Sequence, residues 1–244
     1  MSDQLNTAEN IERQPVQALR INDRAPDFTA RSTQGVVQLG DYRGKWLVFF
    51  SHPADFTPVC TSEFVAFEKK AADFRALNCE LLGLSADSIY SHLAWMLNIE
   101  ERFGVRINFP VIEDLSLVIA EAYGMVDELS PSTATVRSVF FIDPEGKIRA
   151  LIHYPMSIGR SVDEILRVLT ALVETHDGET ATPEGWTAGD PKLLAPPVTL
   201  DGMRDRLAAG RRGGEAVSGT PQMDGGDWYF TRVSEKGVPR AGQV

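Results

Sequence analysis

The chain has 244 residues, 43% hydrophobic and 24% charged, an ordinary globular composition; at roughly 150 residues per domain, that length amounts to one sizeable domain plus an appendage. Its 24 Lys and Arg against 34 Asp and Glu leave a formal net charge of -10, which argues against a nucleic-acid binder, because such a protein needs a basic patch or stripe. No run approaches the ~18 consecutive apolar residues of a membrane span, and the polar, charge-mixed stretch from Met1 to Arg20 predicts no secretory leader. Two cysteines, Cys60 and Cys79, are too few for a disulfide scaffold, and with four scattered histidines they make no zinc site. That cysteine usage points to a reducing, cytoplasmic setting, in which a special cysteine is special for its reactivity.

Residues 1–20 read as an N-terminal extension. The run Trp46-Leu47-Val48-Phe49-Phe50 fits a strand buried on both faces. From Cys60 to Leu77, Phe64, Phe67, Ala71 and Phe74 recur at helical spacing. Leu81 to Leu84 predicts a second buried strand, Ile89 to Phe103 a helix, Phe109 to Ile112 a third strand, and Leu117 to Ala122 a short helix. Two apolar runs, Val136 to Ile142 and Lys147 to Ile152, flank the turn Asp143-Pro144-Glu145-Gly146 and predict a hairpin. Val162, Ile165, Leu166, Leu169, Leu172 and Val173 then mark one face of a last helix, closed by Asp177-Gly178. Together these elements predict an α/β domain over residues 21–178, a mixed sheet flanked by helices. Residues 179–244, rich in Pro, Gly and charge, predict a C-terminal arm with little core of its own, held on another surface by Trp228, Tyr229 and Phe230. The stretch from Arg211 to Gly226 reads as partly disordered.

The loop from Ser51 to Val59 joins the first buried strand to the first long helix and places Cys60 in that helix's first turn. There, unpaired backbone N–H groups and the positive end of the dipole favour a thiolate. A free cysteine is only a few per cent thiolate at neutral pH, and making thiolate the majority form takes about 3 kcal/mol of differential stabilisation. A helix start supplies about 1 kcal/mol or less, so a cation is required as well. Cys79 enters a buried strand and reads as structural. Arg137, an arginine inside an apolar strand, needs a partner; an ion pair serving the fold alone is the competing reading. His52, beside Pro53, is readable as a loop cap, and His92, His153 and His176 as structural or surface residues. Asp55 and Glu63 as paired carboxylates find no support for a glycosidic substrate. Cys60 with His52 as a thiol hydrolase lacks a readable third member or oxyanion hole. A thioredoxin-type dithiol is excluded, because Glu63 stands three residues after Cys60.

The pattern Pro53-x-x-x-Thr57-x-x-Cys60 in a strand–loop–helix junction resembles the peroxiredoxins, and the string from Phe50 to Phe64 is similar to their one-cysteine subfamily. Val136 to Pro144 resembles the strand that delivers the family's catalytic arginine, and Tyr154 to Arg160 the segment carrying its second. The resemblance spans roughly residues 20 to 200 and implies a thioredoxin-like fold. It implies Cys60 as the peroxidatic nucleophile, Thr57 orienting the peroxide, Pro53 shielding the sulfur from water, Arg137 as the missing cation, and Glu63, in the helix's first turn, holding that arginine. It implies, too, that Arg160 and His52 complete the substrate pocket.

It further implies a homodimer in which the arm crosses to the partner, with a ring of five dimers as the larger assembly, and no metal or organic cofactor. No cysteine follows Cys79, so a resolving step through the arm is impossible, and an external thiol reductant and one-cysteine mechanism are expected. Some animal members carry a phospholipase serine in a Gly-Asp-Ser motif; here the stretch is Gly40-Asp41-Tyr42, and that activity is not expected. The competing classes are a redox-responsive sensor or chaperone with slow turnover, and a scaffold with an inactive thiol.

Overall fold

A computed structural model describes residues 18–126, 132–211, 222–224 and 227–234. These form two compact units: one comprises the chain up to Glu68 together with Glu80–Gly159, the other Lys69–Cys79 together with the chain from Arg160 onward. Seven strands build one sheet: β1 (Thr29–Ser32), β2 (Gly35–Gln38), β3 (Trp46–Ser51), β4 (Cys79–Ser85), β5 (Val111–Glu113), β6 (Arg137–Ile142) and β7 (Ile148–Tyr154), in the order β2-β1-β5-β4-β3-β6-β7. β4 and β5 run parallel while β3–β6 and β6–β7 are antiparallel, so the sheet is mixed, as the pattern predicted.

β3 explains why its sequence is continuously apolar. Successive side chains of a strand point to opposite faces, and each face here has its own cover. On one side Phe50 stacks on Phe67 at 4.3 Å between ring centroids and meets Phe64 and Phe109 edge-on. Phe64 and Phe67 belong to α1 (Pro58–Ala76). On the other side Phe49 packs edge-on against Tyr123 at 4.9 Å and near Phe28, in a cluster that includes Leu47, Leu82, Ile112, Phe140 and residues of α3 (Val118–Ala122). Burying a Phe side chain on both faces of a sheet stabilises the fold by about 1.5–3 kcal/mol per residue.

α2 (Ile89–Phe103) keeps the predicted bounds; Ser88 caps its start by accepting the Ser91 amide, and Gly104, in the left-handed region at φ 64°, ends it. The hairpin turn is closed by the Gly146 amide on Asp143 O and the Lys147 amide on Asp143 Oδ1.

In the second unit α4 (Val162–Glu174) buries Val162, Ile165 and Leu169 along one face. It ends before Gly178, which closes a following turn through its amide on Thr175 O.

Two parts of the fold carry elements that the sequence pattern does not mark. The sequence pattern marks no strand before Trp46, yet β1 and β2 form a hairpin there; its eight residues are mostly exposed, so no buried alternation signals them. The arm also holds regular structure: β8 (Thr180–Ala181), β9 (Lys192–Leu194), α5 (Leu200–Arg211), β10 (Gln222–Asp224) and β11 (Arg232–Ser234), with the strands in a four-stranded sheet ordered β10-β11-β9-β8. Trp186 and Val233 are buried there. Very short strands paired across long intervals leave no local period to read. Tyr229 and Phe230 are exposed and Trp228 half-buried. Most of the extension, residues 1–17, and of the Gly-rich stretch, residues 212–221 and 225–226, lies outside the described residues.

Candidate active site

The β3–α1 loop is anchored at its root. The Ser51 hydroxyl donates to Val136 O and accepts the Ser138 amide, the His52 amide donates to Leu84 O, and the Thr135 hydroxyl donates to His52 O. Phe56 turns the chain with φ 54°, a left-handed conformation uncommon for a bulky side chain. Pro58 then opens α1; its fixed φ suits a first helical position, where the missing N–H has no acceptor to lose. Cys60 is therefore the third helical residue, and its side chain is fully buried.

Arg137, first residue of β6, reaches it. Its Nη1 lies 3.2 Å from Cys60 Sγ and 3.0 Å from Glu63 Oε2, while Nε donates to Met156 O at 3.0 Å. Glu63 is in the second turn of α1, not the first as expected from sequence, and this is what lets it serve: residues three apart share one helix face. Arg137 and Glu63 are both buried, so neither charge is tolerable without the other. The carboxylate holds the guanidinium, and the guanidinium presents its N–H groups and positive charge to the sulfur in a poorly solvated setting.

Comparisons with known proteins point to one family. A family model described as AhpC/TSA matches residues 21–151. Peroxiredoxin 2 of Picrophilus torridus is 48% identical over 192 residues, covering 79% of this chain and 94% of that protein. Among solved structures, a yeast mitochondrial 1-Cys peroxiredoxin superposes with TM-score 0.75 at 36% identity, covering 89% of this chain and all of that one. A mutant of peroxiredoxin 6 from Arenicola marina gives TM-score 0.75 at 31% identity, covering 90% and 100%. The chain belongs to the AhpC/TSA family, the peroxiredoxins. It is a thiol-dependent peroxidase, an oxidoreductase with the family's thioredoxin-like fold.

In this peroxiredoxin Cys60, Glu63 and Arg137 are in direct contact. The Thr57 hydroxyl donates to Ala54 O at 2.8 Å, so toward a ligand it presents lone pairs. Pro53 is buried at the root of the loop. Arg160 is buried too, at the start of the segment that returns to the second unit. Cys79 is buried at the first position of β4, and neither cysteine is in a disulfide.

His52 is no loop cap. It is fully buried, and its Nε2 lies 2.9 Å from Asp55 Oδ1; Asp55 Oδ2 lies 2.8 Å from His92 Nδ1, and His92 Nε2 lies 3.2 Å from Ile112 O. Burial pushes the His52 imidazole below its ordinary range against the pull of Asp55. Burial alone would raise Asp55, but hydrogen bonds from the two histidines outweigh it and hold the carboxyl well below the usual range.

These three side chains also bring potential metal-ligand atoms within 4.8 Å of one another. Contacts of 2.8 and 2.9 Å are shorter than the ~3.3 Å ligand separation that follows from tetrahedral zinc bonds of about 2.0–2.1 Å. The three are a hydrogen-bonded relay.

Sequence reasoning set Asp55 aside with the hydrolases and read His92 as a structural or surface residue. The signal was present in α2: His92 falls between Ile89 and Trp95 on the buried stripe, where a polar side chain requires a partner.

Proposed function

We propose that this protein reduces hydrogen peroxide and small organic hydroperoxides by a one-cysteine mechanism with an external thiol as reductant, in a reducing, cytoplasmic setting. The observation that carries the reading is the Arg137 Nη1 group shared between Cys60 Sγ and Glu63. The Cys60 thiolate attacks the terminal peroxide oxygen. The S–O bond forms as the O–O bond breaks, and the departing alkoxide or hydroxide takes up a proton to leave as alcohol or water. Sulfur is oxidised to the sulfenic acid and the peroxide reduced. Arg137 stabilises the charge that moves from sulfur to oxygen. Thr57 accepts a hydrogen bond from the peroxide O–H, Pro53 excludes water, and His52 and Arg160 take the substrate-binding roles that the family likeness implies.

One external thiol then condenses with the sulfenic acid, releasing water and leaving a mixed disulfide. A second thiol attacks that disulfide, restoring Cys60 and departing as the oxidised reductant. The absence of any cysteine after Cys79 supports this route, as does the likeness to a 1-Cys peroxiredoxin whose thiol is resolved through glutathione/thioredoxin systems. A homodimer, or a ring of five, is proposed on the family likeness.

Stopped-flow oxidation of the reduced protein by hydrogen peroxide tests the reading. Trp95 donates its indole N–H to Thr61 in the helix turn beside Cys60 and supplies the fluorescence signal. Fast oxidation lost in Cys60→Ser and kept in Cys79→Ser, with one dimedone-trapped sulfenic acid, is expected. Oxidation no faster than that of an ordinary thiol would favour the sensor or scaffold readings. A Cys60–Cys79 disulfide as end product would overturn the one-cysteine route.

A further inference from the structure

The relay behind the loop carries a proton count. A hydrogen bond needs one proton between its two atoms, and the three contacts of the relay are His52 Nε2 to Asp55 Oδ1, Asp55 Oδ2 to His92 Nδ1, and His92 Nε2 to Ile112 O. A backbone carbonyl cannot donate, so the third proton sits on His92 Nε2. The second then has to lie between His92 Nδ1 and a carboxylate oxygen, because two facing lone pairs at 2.8 Å repel. Three protons over these groups give zero net charge, whereas two would leave an uncompensated anion among buried side chains, a costly arrangement.

The neighbours make that anion worse. Asp87 Oδ2 accepts the Asp55 amide and the Ser85 hydroxyl, and Glu113, which accepts the Ile89 amide and pairs with Arg31, lies within electrostatic reach of His92.

We propose that His92 is a positioning residue of the peroxide-reducing site: protonated on both nitrogens between Asp55 and Ile112, it keeps Asp55 an acceptor on both oxygens and so fixes His52 with its proton on Nε2 and its lone pair on Nδ1. The buried Nδ1 of His52 has no hydrogen-bond partner among the described residues. A bare lone pair there leaves only an unpaired acceptor, while the opposite tautomer would bury an unsatisfied N–H. The inference rests on the peroxidase reading for the part His52 plays in the pocket, and on geometry alone for the protonation.

Nitrogen NMR of the reduced full-length protein labelled at histidine is the first test. The expected spectrum at neutral pH shows one buried histidine protonated on both nitrogens, assigned to His92 by its loss in His92→Gln, and His52 as the Nε2–H tautomer. A bare nitrogen on His92, or a proton on His52 Nδ1, overturns the proposal whatever the activity, and slow oxidation of wild type overturns the peroxidase reading without touching the protonation result.

The second test is kinetic. His92→Gln leaves Asp55 uncompensated and His52 free to exchange tautomers, so the rate of Cys60 oxidation should fall about tenfold to a hundredfold, as for partners that orient functional histidines elsewhere. The pH–rate profile should gain a step near neutrality. In Asp55→Asn/His92→Gln the Asn oxygen accepts from His52 Nε2, the Asn amide donates to the Gln oxygen, and the Gln amide donates to Ile112, so the tautomer is restored without charge. The double variant should recover most of the rate and the wild-type profile; a double variant no better than the single one refutes the positioning role.

Discussion

Replacing Arg137 by methionine keeps the aliphatic stem and removes the cation, and its two consequences are separable. Glu63 is 2% exposed and pairs with Arg137 at 3.0 Å, so the variant strands a buried carboxylate. Breaking a buried pair from one side costs about 3–5 kcal/mol of stability. The same substitution removes the charge-assisted contact at 3.2 Å from Cys60 Sγ. Losing one preorganised donor to developing charge costs about 2.7–4 kcal/mol of transition-state stabilisation, about 10²–10³ in rate.

Adding Glu63→Gln separates these effects. The neutral amide no longer suffers from burial without a cation, so urea unfolding of Arg137→Met/Glu63→Gln should recover a large part of the lost stability. Stopped-flow oxidation should remain depressed, because no cation faces the sulfur in either variant. Recovery of the rate together with the stability would show that Arg137 acts through the fold alone. A rate near wild type in the single variant would remove the arginine from the chemistry altogether.

Acid should destabilise the protein in two stages. His52 is held below its ordinary value in the fold by burial, so below about 6.5 the unfolded chain binds a proton that the folded one refuses, and stability falls with pH. Asp55 is also depressed, so its contribution is complete above about 4 and is lost as pH falls further; urea midpoints across this range should decline throughout, and His52→Gln should flatten the upper stage. At the alkaline end, burial, with Glu80 and Asp41 nearby, pushes Tyr42 up to about 12, and burial raises Tyr123 as well. The folded state then holds phenol protons that the unfolded state releases above about 10; stability should drop there, and absorbance should show both tyrosines ionising with unfolding. Phe50→Ala empties the position stacked on Phe67 and touching Phe64 and Phe109 and should cost about 3–5 kcal/mol. Thermal melts check it, and a loss under 1 kcal/mol would show that β3 is not the centre of the packing.

Wherever a residue's neighbours along the chain decide its environment, the sequence was sufficient. Trp46 to Phe50 declared a strand covered on both sides because no polar residue interrupts it, and β3 is that strand. The bounds of α2 follow from Ser88 and Gly104, both local signals. Cys60 was legible because a loop, Pro58 and a helical period meet beside it. The resemblance to the peroxiredoxins carried the roles from there, including the pairing of Arg137 with Glu63.

What the chain alone left undetermined is contact between distant residues. Arg137 and Cys60 are 77 positions apart, and only the antiparallel pairing of β6 with β3 brings the guanidinium over the start of α1. Asp55 and His92, 37 positions apart, look like a loop acid and a helix histidine until the packing of α2 buries both. The sheet of the arm pairs Arg232 with Leu193 and Thr180 with Leu194, strands too short to carry a period. Local sequence fixes local conformation; a charge buried among apolar groups is made tolerable by a partner that only the tertiary structure supplies.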